Sequence, residues 1–159
     1  MGRAFFFLGA FLFFLTRAEA IDLSTTGGWS ETINEFDLVS GAGSDLVDTY
    51  ESATDATSMT ISNCTGDSDN WRLDVRRIDD AGWHGDFTIY VKRTSDGEGT
   101  GSVSGGLSYI EITTTDTQLF SGAGDRSNIS IQYKLTGMSI NVSPNTYGET
   151  ITFTVVDLP

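Results

Sequence analysis

Asn128-Ile129-Ser130-Ile131-Gln132-Tyr133-Lys134-Leu135 is the stretch that decides the fold. An apolar side chain stands at every second position, with Ser130, Gln132 and Lys134 between. In an extended strand successive side chains point to opposite faces, so this pattern gives one apolar and one polar face. A helix would need spacings of three and four. The same alternation recurs on both sides. Trp71, Leu73 and Val75 alternate with Arg72, Asp74 and Arg76. Phe87, Ile89 and Val91 alternate with Thr88, Tyr90 and Lys92. Near the end, Ile151, Phe153 and Val155 alternate with Thr152 and Thr154. Weaker extended runs are expected over 32–39, 57–62, 107–114 and 138–142.

The segments between these runs are rich in Gly, Asn and Asp, which supply the backbone angles and side-chain hydrogen bonds of tight turns. Gly41-Ala42-Gly43-Ser44, Gly66 to Asn70, Asp79 to Gly82, Asp96-Gly97 and Ser143 to Asn145 are the turn candidates. The chain holds only two prolines and no helical periodicity. The expectation is all-β: a single antiparallel β-sandwich over 29–159, immunoglobulin-like or pilin-like, of about seven to nine strands. Ser40-Gly41-Ala42-Gly43 is echoed by Ser121-Gly122-Ala123-Gly124, read as one turn sequence used twice.

Residues 1–20 read as a cleaved secretory signal peptide. Arg3 gives a positive start, Ala4 to Leu15 is apolar, and Ala18-Glu19-Ala20 supplies small residues before a cut at Ile21. The apolar run is shorter than the roughly 20 residues needed to span a bilayer. The expected location is outside the cell or on its surface. The full chain carries 9 basic and 22 acidic residues, a formal net charge of −13. A surface this acidic repels nucleic acid and anionic lipid, so neither nucleic-acid binding nor direct membrane insertion is expected. Cys64 is the single cysteine. It cannot close an intrachain disulfide, so the fold rests on its apolar core.

Motifs for catalysis are weak. The glycines of Gly97-Glu98-Gly99-Thr100-Gly101 lack the Lys-Ser/Thr and following helix of a phosphate loop, and read as a surface hairpin or loop. His84 is the only histidine, too little for a zinc site beside one cysteine. A Ser-His-Asp triad would have to use it, and no glycosidase-like carboxylate pair stands out. No cofactor and no enzymatic activity are therefore expected. Calcium takes carboxylate oxygens, and Asp67, Asp69, Asp79 and Asp80 are the local candidates, none matching an EF-hand loop. Asn63, Asn128 and Asn141 each open an Asn-X-Ser/Thr sequon.

Trp71 shares a strand face with Leu73 and Val75 and reads as core. Trp29 and Trp83 lie in turn-like contexts, where their rings could stack on a ligand such as a sugar. The closing segment, Pro144-Asn145-Thr146-Tyr147-Gly148-Glu149 followed by a Thr-rich strand over 150–157, resembles the last strand of bacterial secreted pilin-like sandwiches. Chaperone–usher fimbrial subunits and the spore coat protein U group end in this way. That resemblance implies a structural subunit of an extracellular filament or coat, with the chain itself as principal partner. In fimbrial subunits an N-terminal extension of one protomer completes the sheet of the next. Here the candidate donor lies within 21–28, with Ile21 and Leu23 alternating with polar residues and Gly27-Gly28 as hinge. The first expectation is thus a non-enzymatic, self-assembling subunit. The second is a secreted binding module for glycan or a surface partner, using Trp29 and Trp83.

Overall fold

The computed structural model describes residues 20–79 and 82–159. The expected signal peptide lies outside them apart from Ala20, as does Asp80. Ten strands are present among the described residues: β1 (Asp22–Gly27), β2 (Thr49–Glu51), β3 (Thr57–Ser62), β4 (Asn70–Ile78), β5 (Thr88–Arg93), β6 (Ser102–Ser104), β7 (Ile110–Glu111), β8 (Thr117–Ala123), β9 (Arg126–Thr136) and β10 (Thr150–Leu158). They form two antiparallel sheets. One runs β1-β3-β9-β5-β7, with β2 also pairing β9; the other runs β10-β4-β8-β6. The antiparallel sandwich expected from the alternating runs is therefore the fold.

Its wiring is a detail that periodicity does not carry. From β3 to β10 every connection crosses from one sheet to the other, and no two chain-adjacent strands pair. An immunoglobulin domain instead keeps some consecutive strands hydrogen-bonded within a sheet.

Between the sheets the inward residues of the alternating strands meet. Met59 and Ile61 of β3, Trp71, Leu73 and Val75 of β4, Val91 of β5, and Ile129 and Ile131 of β9 are fully buried. Trp71 packs edge-on to Phe120 at 6.0 Å, and its indole N–H donates to Gly124 O at 2.9 Å. That bond satisfies the one polar atom the ring takes into the core.

Several weaker expectations change. Residues 32–39 form a 3-10 turn at Glu35–Asp37, not a strand. Asn34 Oδ1 accepts from Phe36 N–H and Asp37 Oδ2 accepts from Asn34 N–H, a reciprocal cap that competes with extended backbone. Residues 138–142 turn through a Val142 N–H to Ser139 O bond. The run over 107–114 contracts to β7. The two glycine echoes also diverge. Gly41 and Gly43 sit in a true turn with φ of 86° and 87°, whereas Ser121 to Ala123 lie within β8.

The glycine-rich segment 96–106 is fastened from below. Arg126, 8 % exposed, donates through its guanidinium to the carbonyls of Asp96, Gly97, Gly99 and Gly101 at 2.7–3.2 Å. Arg93 donates to Gly105 O and pairs with Asp96. Its many carbonyls serve protein cations.

Candidate functional site

β1 and β10 are the edge strands of opposite sheets and approach each other along one side of the sandwich. There the interior opens into a cleft of about 820 Å³. Trp29 and Trp83, the two tryptophans singled out in the sequence, both line it. Trp29 follows the β1 strand directly after Gly27 and Gly28, whose φ angles of 99° and 157° turn the chain out of the sheet. Its indole N–H donates to Glu31 Oε2 at 3.3 Å. Trp83 arrives from the β4–β5 connection and donates to Phe87 O at 3.2 Å.

Trp83 belongs to an aromatic group. Its ring meets Phe87 edge-on at 5.5 Å, and Phe87 meets Tyr147 edge-on at 5.1 Å. His84 packs on Phe87 and Tyr147 at 5.2 and 5.6 Å. Perpendicular rings at such separations hold one another in place. Tyr133 and Thr57, both buried, also line the cleft, sharing a hydrogen bond of 2.9 Å between hydroxyls. Burial raises the Tyr133 pKa, and the Thr57 hydroxyl partly offsets that rise.

Phe87, Tyr147 and Glu149 are lining residues that sequence reading left out of the site. Phe87 reads as an ordinary inward residue, and Tyr147 and Glu149 as strand-entry residues. Only the packing of 143–149 against the β4–β5 connection brings them together; Gly148 O lies 3.7 Å from a Cβ position on Gly82. The charged residues lining the cleft are Glu31 and Glu149, both acidic. The side chain of Glu149 is 2 % exposed. Its Oε2 accepts from Arg77 at 3.0 Å, while Oε1 has no hydrogen-bond partner.

Of the other candidates, Asp67 and Asp69 share the β3–β4 connection, away from the cleft lining. The Asp67 carboxylate accepts from the Thr100 hydroxyl, and Asp69 Oδ2 caps Thr65 N–H at 2.7 Å. Asp79 pairs with Arg77 at 3.3 Å on a different connection. Among the described residues no group of three or more His, Cys, Asp or Glu side chains could hold a metal ion. His84 Nδ1 accepts from Asp86 N–H at 3.3 Å and its ring is engaged by its aromatic neighbours. Cys64 is half-buried beside Asp125. The sequon residues Asn63, Asn128 and Asn141 are all exposed.

The candidate donor segment is docked in its own chain. β1 pairs with β3 from Asp22↔Ser62 to Gly27↔Thr57, with Ile21 in the core and Leu23 packed against it. No described helix is long and apolar enough to cross a membrane. Comparison with protein-family models, curated proteins and solved structures finds no match to this chain.

Proposed function

We propose that this protein is a non-enzymatic secreted binding module whose working surface is the β1/β10 cleft, and that its ligand is a glycan. The observation that carries this reading is that Trp29 and Trp83, far apart in the chain, line one cleft with Phe87 and Tyr147. Flat aromatic faces suit the apolar faces of pyranose rings. The proposed extracellular location rests on the leader sequence over 1–20. The test is retention on immobilised glycans or whole cell walls. Wild type should be retained, and Trp83→Ala and Trp29→Ala should each weaken retention severalfold. An unchanged profile in both variants overturns the reading.

A second reading is the self-assembling filament or coat subunit that the closing segment's likeness to pilin-like sandwiches implies. What favours it is the edge of β10. Nine residues, Thr150–Leu158, pair only with β4 and contain no Lys, Pro or Gly. Natural sheets usually blunt so long a free edge, because it templates pairing with another chain. The exposed apolar residues Phe36, Val39 and Ile140 add a second contact surface for a protein partner. Electron microscopy of the purified protein should show fibres or sheets under this reading. A monodisperse monomer at high concentration would reject it.

A further inference from the structure

We infer that Glu149 is the polar anchor of the cleft and that the cleft selects a neutral, hydroxyl-bearing saccharide over an acidic one. This deepens the binding reading above and rests on it. In β10 the odd-numbered residues Ile151, Phe153 and Val155 pack towards the core. Glu149 is the next odd position, so its carboxylate enters between the sheets, and the residue lines the cleft. One oxygen is held by Arg77 at 3.0 Å. The other, Oε1, is buried and unpartnered. Buried polar atoms in native proteins nearly always have a partner, so an orphaned acceptor at a cleft asks for a donor from outside. Carboxylate oxygens only accept, so the complementary group is a hydroxyl or N–H.

The remaining lining narrows the class. The half-buried rings of Trp29, Trp83 and Tyr147 offer stacking surface, the buried Tyr133 and Thr57 hydroxyls are bonded to each other, and Glu31 adds a second carboxylate. No lysine, arginine or histidine lines the cleft among the described residues. A carboxylated or sulfated sugar would bring its charge to Glu31 and to a Glu149 whose single partner, Arg77, is already engaged, with no free cation in the lining to receive it. A neutral sugar can donate a hydroxyl hydrogen to Oε1 at no electrostatic cost. Ring faces, one deep acceptor and no cation together specify such a ligand.

The test is calorimetric titration of the full secreted chain with neutral hexasaccharides (cello-, xylo-, manno- and chito-series) and with hexagalacturonate. Wild type should bind at least one neutral probe and bind hexagalacturonate at least tenfold more weakly. Glu149→Gln can keep its amide oxygen on Arg77, which turns the amide NH2 towards the ligand, a donor where an acceptor is required. It should lose at least tenfold in affinity for the neutral probe while its discrimination against hexagalacturonate narrows. A variant that is merely less stable would weaken both probes alike, and Glu149→Asp, which withdraws the carboxylate while keeping its charge, should weaken the neutral probe without relaxing discrimination. Equal affinity of Glu149→Gln and wild type for the neutral probe overturns the inference and leaves the cleft reading standing. Tighter wild-type binding of hexagalacturonate also overturns it. A wild type that binds none of the five probes removes the glycan reading and this inference together.

Discussion

The indole of Trp71 lies across Gly122 so closely that a methyl group on residue 122 would stand 2.4 Å from its Cζ2. The same methyl would stand 2.4 Å from Ser102 O on the neighbouring strand β6. A bare backbone at this point lets the largest core side chain lie flat on β8 and reach Gly124 O with its N–H. Gly122→Ala should therefore cost about 1–3 kcal/mol, since neither the ring nor the strand backbone can withdraw freely. Urea denaturation followed by tryptophan fluorescence measures it. Trp71→Phe tests the other half: it removes the hydrogen bond and part of the ring, and should also destabilise.

Arg126 should behave as a fastener for a loop. Its five hydrogen bonds end on four carbonyls of 96–101, and no carboxylate shares them. Arg126→Met should cost about 3 kcal/mol, because those acceptors lose their donor in a half-buried setting. Arg126→Lys should rescue little, since an ammonium lacks the guanidinium fork that spans four acceptors. Limited proteolysis should cut both variants first within 96–106, where wild type resists.

β1 should be separable and replaceable. It is held by one neighbour, β3, and by the burial of Ile21 and Leu23. Deleting 21–26 should lower Tm by several degrees and expose the outer edge of β3. A synthetic Ile-Asp-Leu-Ser-Thr-Thr-Gly peptide added in excess should restore Tm by mass action. Restoration would show that the strand can be supplied from outside, as donation between protomers requires. No restoration at millimolar peptide would count against exchange.

Cys64 should be an unreactive thiol. Burial, then the hydrogen bond and charge of Asp125 and the charges of Asp69 and Asp157, push its pKa up from 9.0 to about 12. The folded state thus favours the protonated thiol. The stabilisation is fully present below pH 9 and is lost as pH rises towards 12. At pH 8 the native thiolate should be much scarcer than in the unfolded chain. Ellman's reagent should label the native protein far more slowly than the urea-unfolded one. Asp125→Asn should speed native labelling. Equal native and unfolded rates would contradict the assignment.

The strands legible in the sequence are those whose two faces see different solvents. β4, β5, β9 and β10 each have one face on the core, so alternation marks them. β8 escapes notice because Leu119 and Phe120 are adjacent and buried together, with the β4–β8 register shifting between Leu73 and Asp74. Its Ser121-Gly122-Ala123 reads as turn sequence, yet the glycine is there to admit the Trp71 ring. In 32–39 the pattern looks extended, and a local cap at Asn34 wins over it. The tryptophans of the candidate cleft were legible from their turn-like surroundings, although both rings also pack partly against the core. Glu149 was not, because one carboxylate among 22 acidic residues gains meaning only from the arginine and cleft beside it.

Because every connection from β3 onward crosses between sheets, no hairpin can form as a local nucleus. β3 and β5 meet only through β9, and β4 finds its neighbours only in β8 and β10. A chain emerging from its N-terminus therefore holds unpaired strands until residues 117–158 have been made. Folding should be slow, on the order of milliseconds to seconds, as for other folds dominated by non-local pairing. A polypeptide that closes its sheets last stays threadable longest, which would suit the export proposed above.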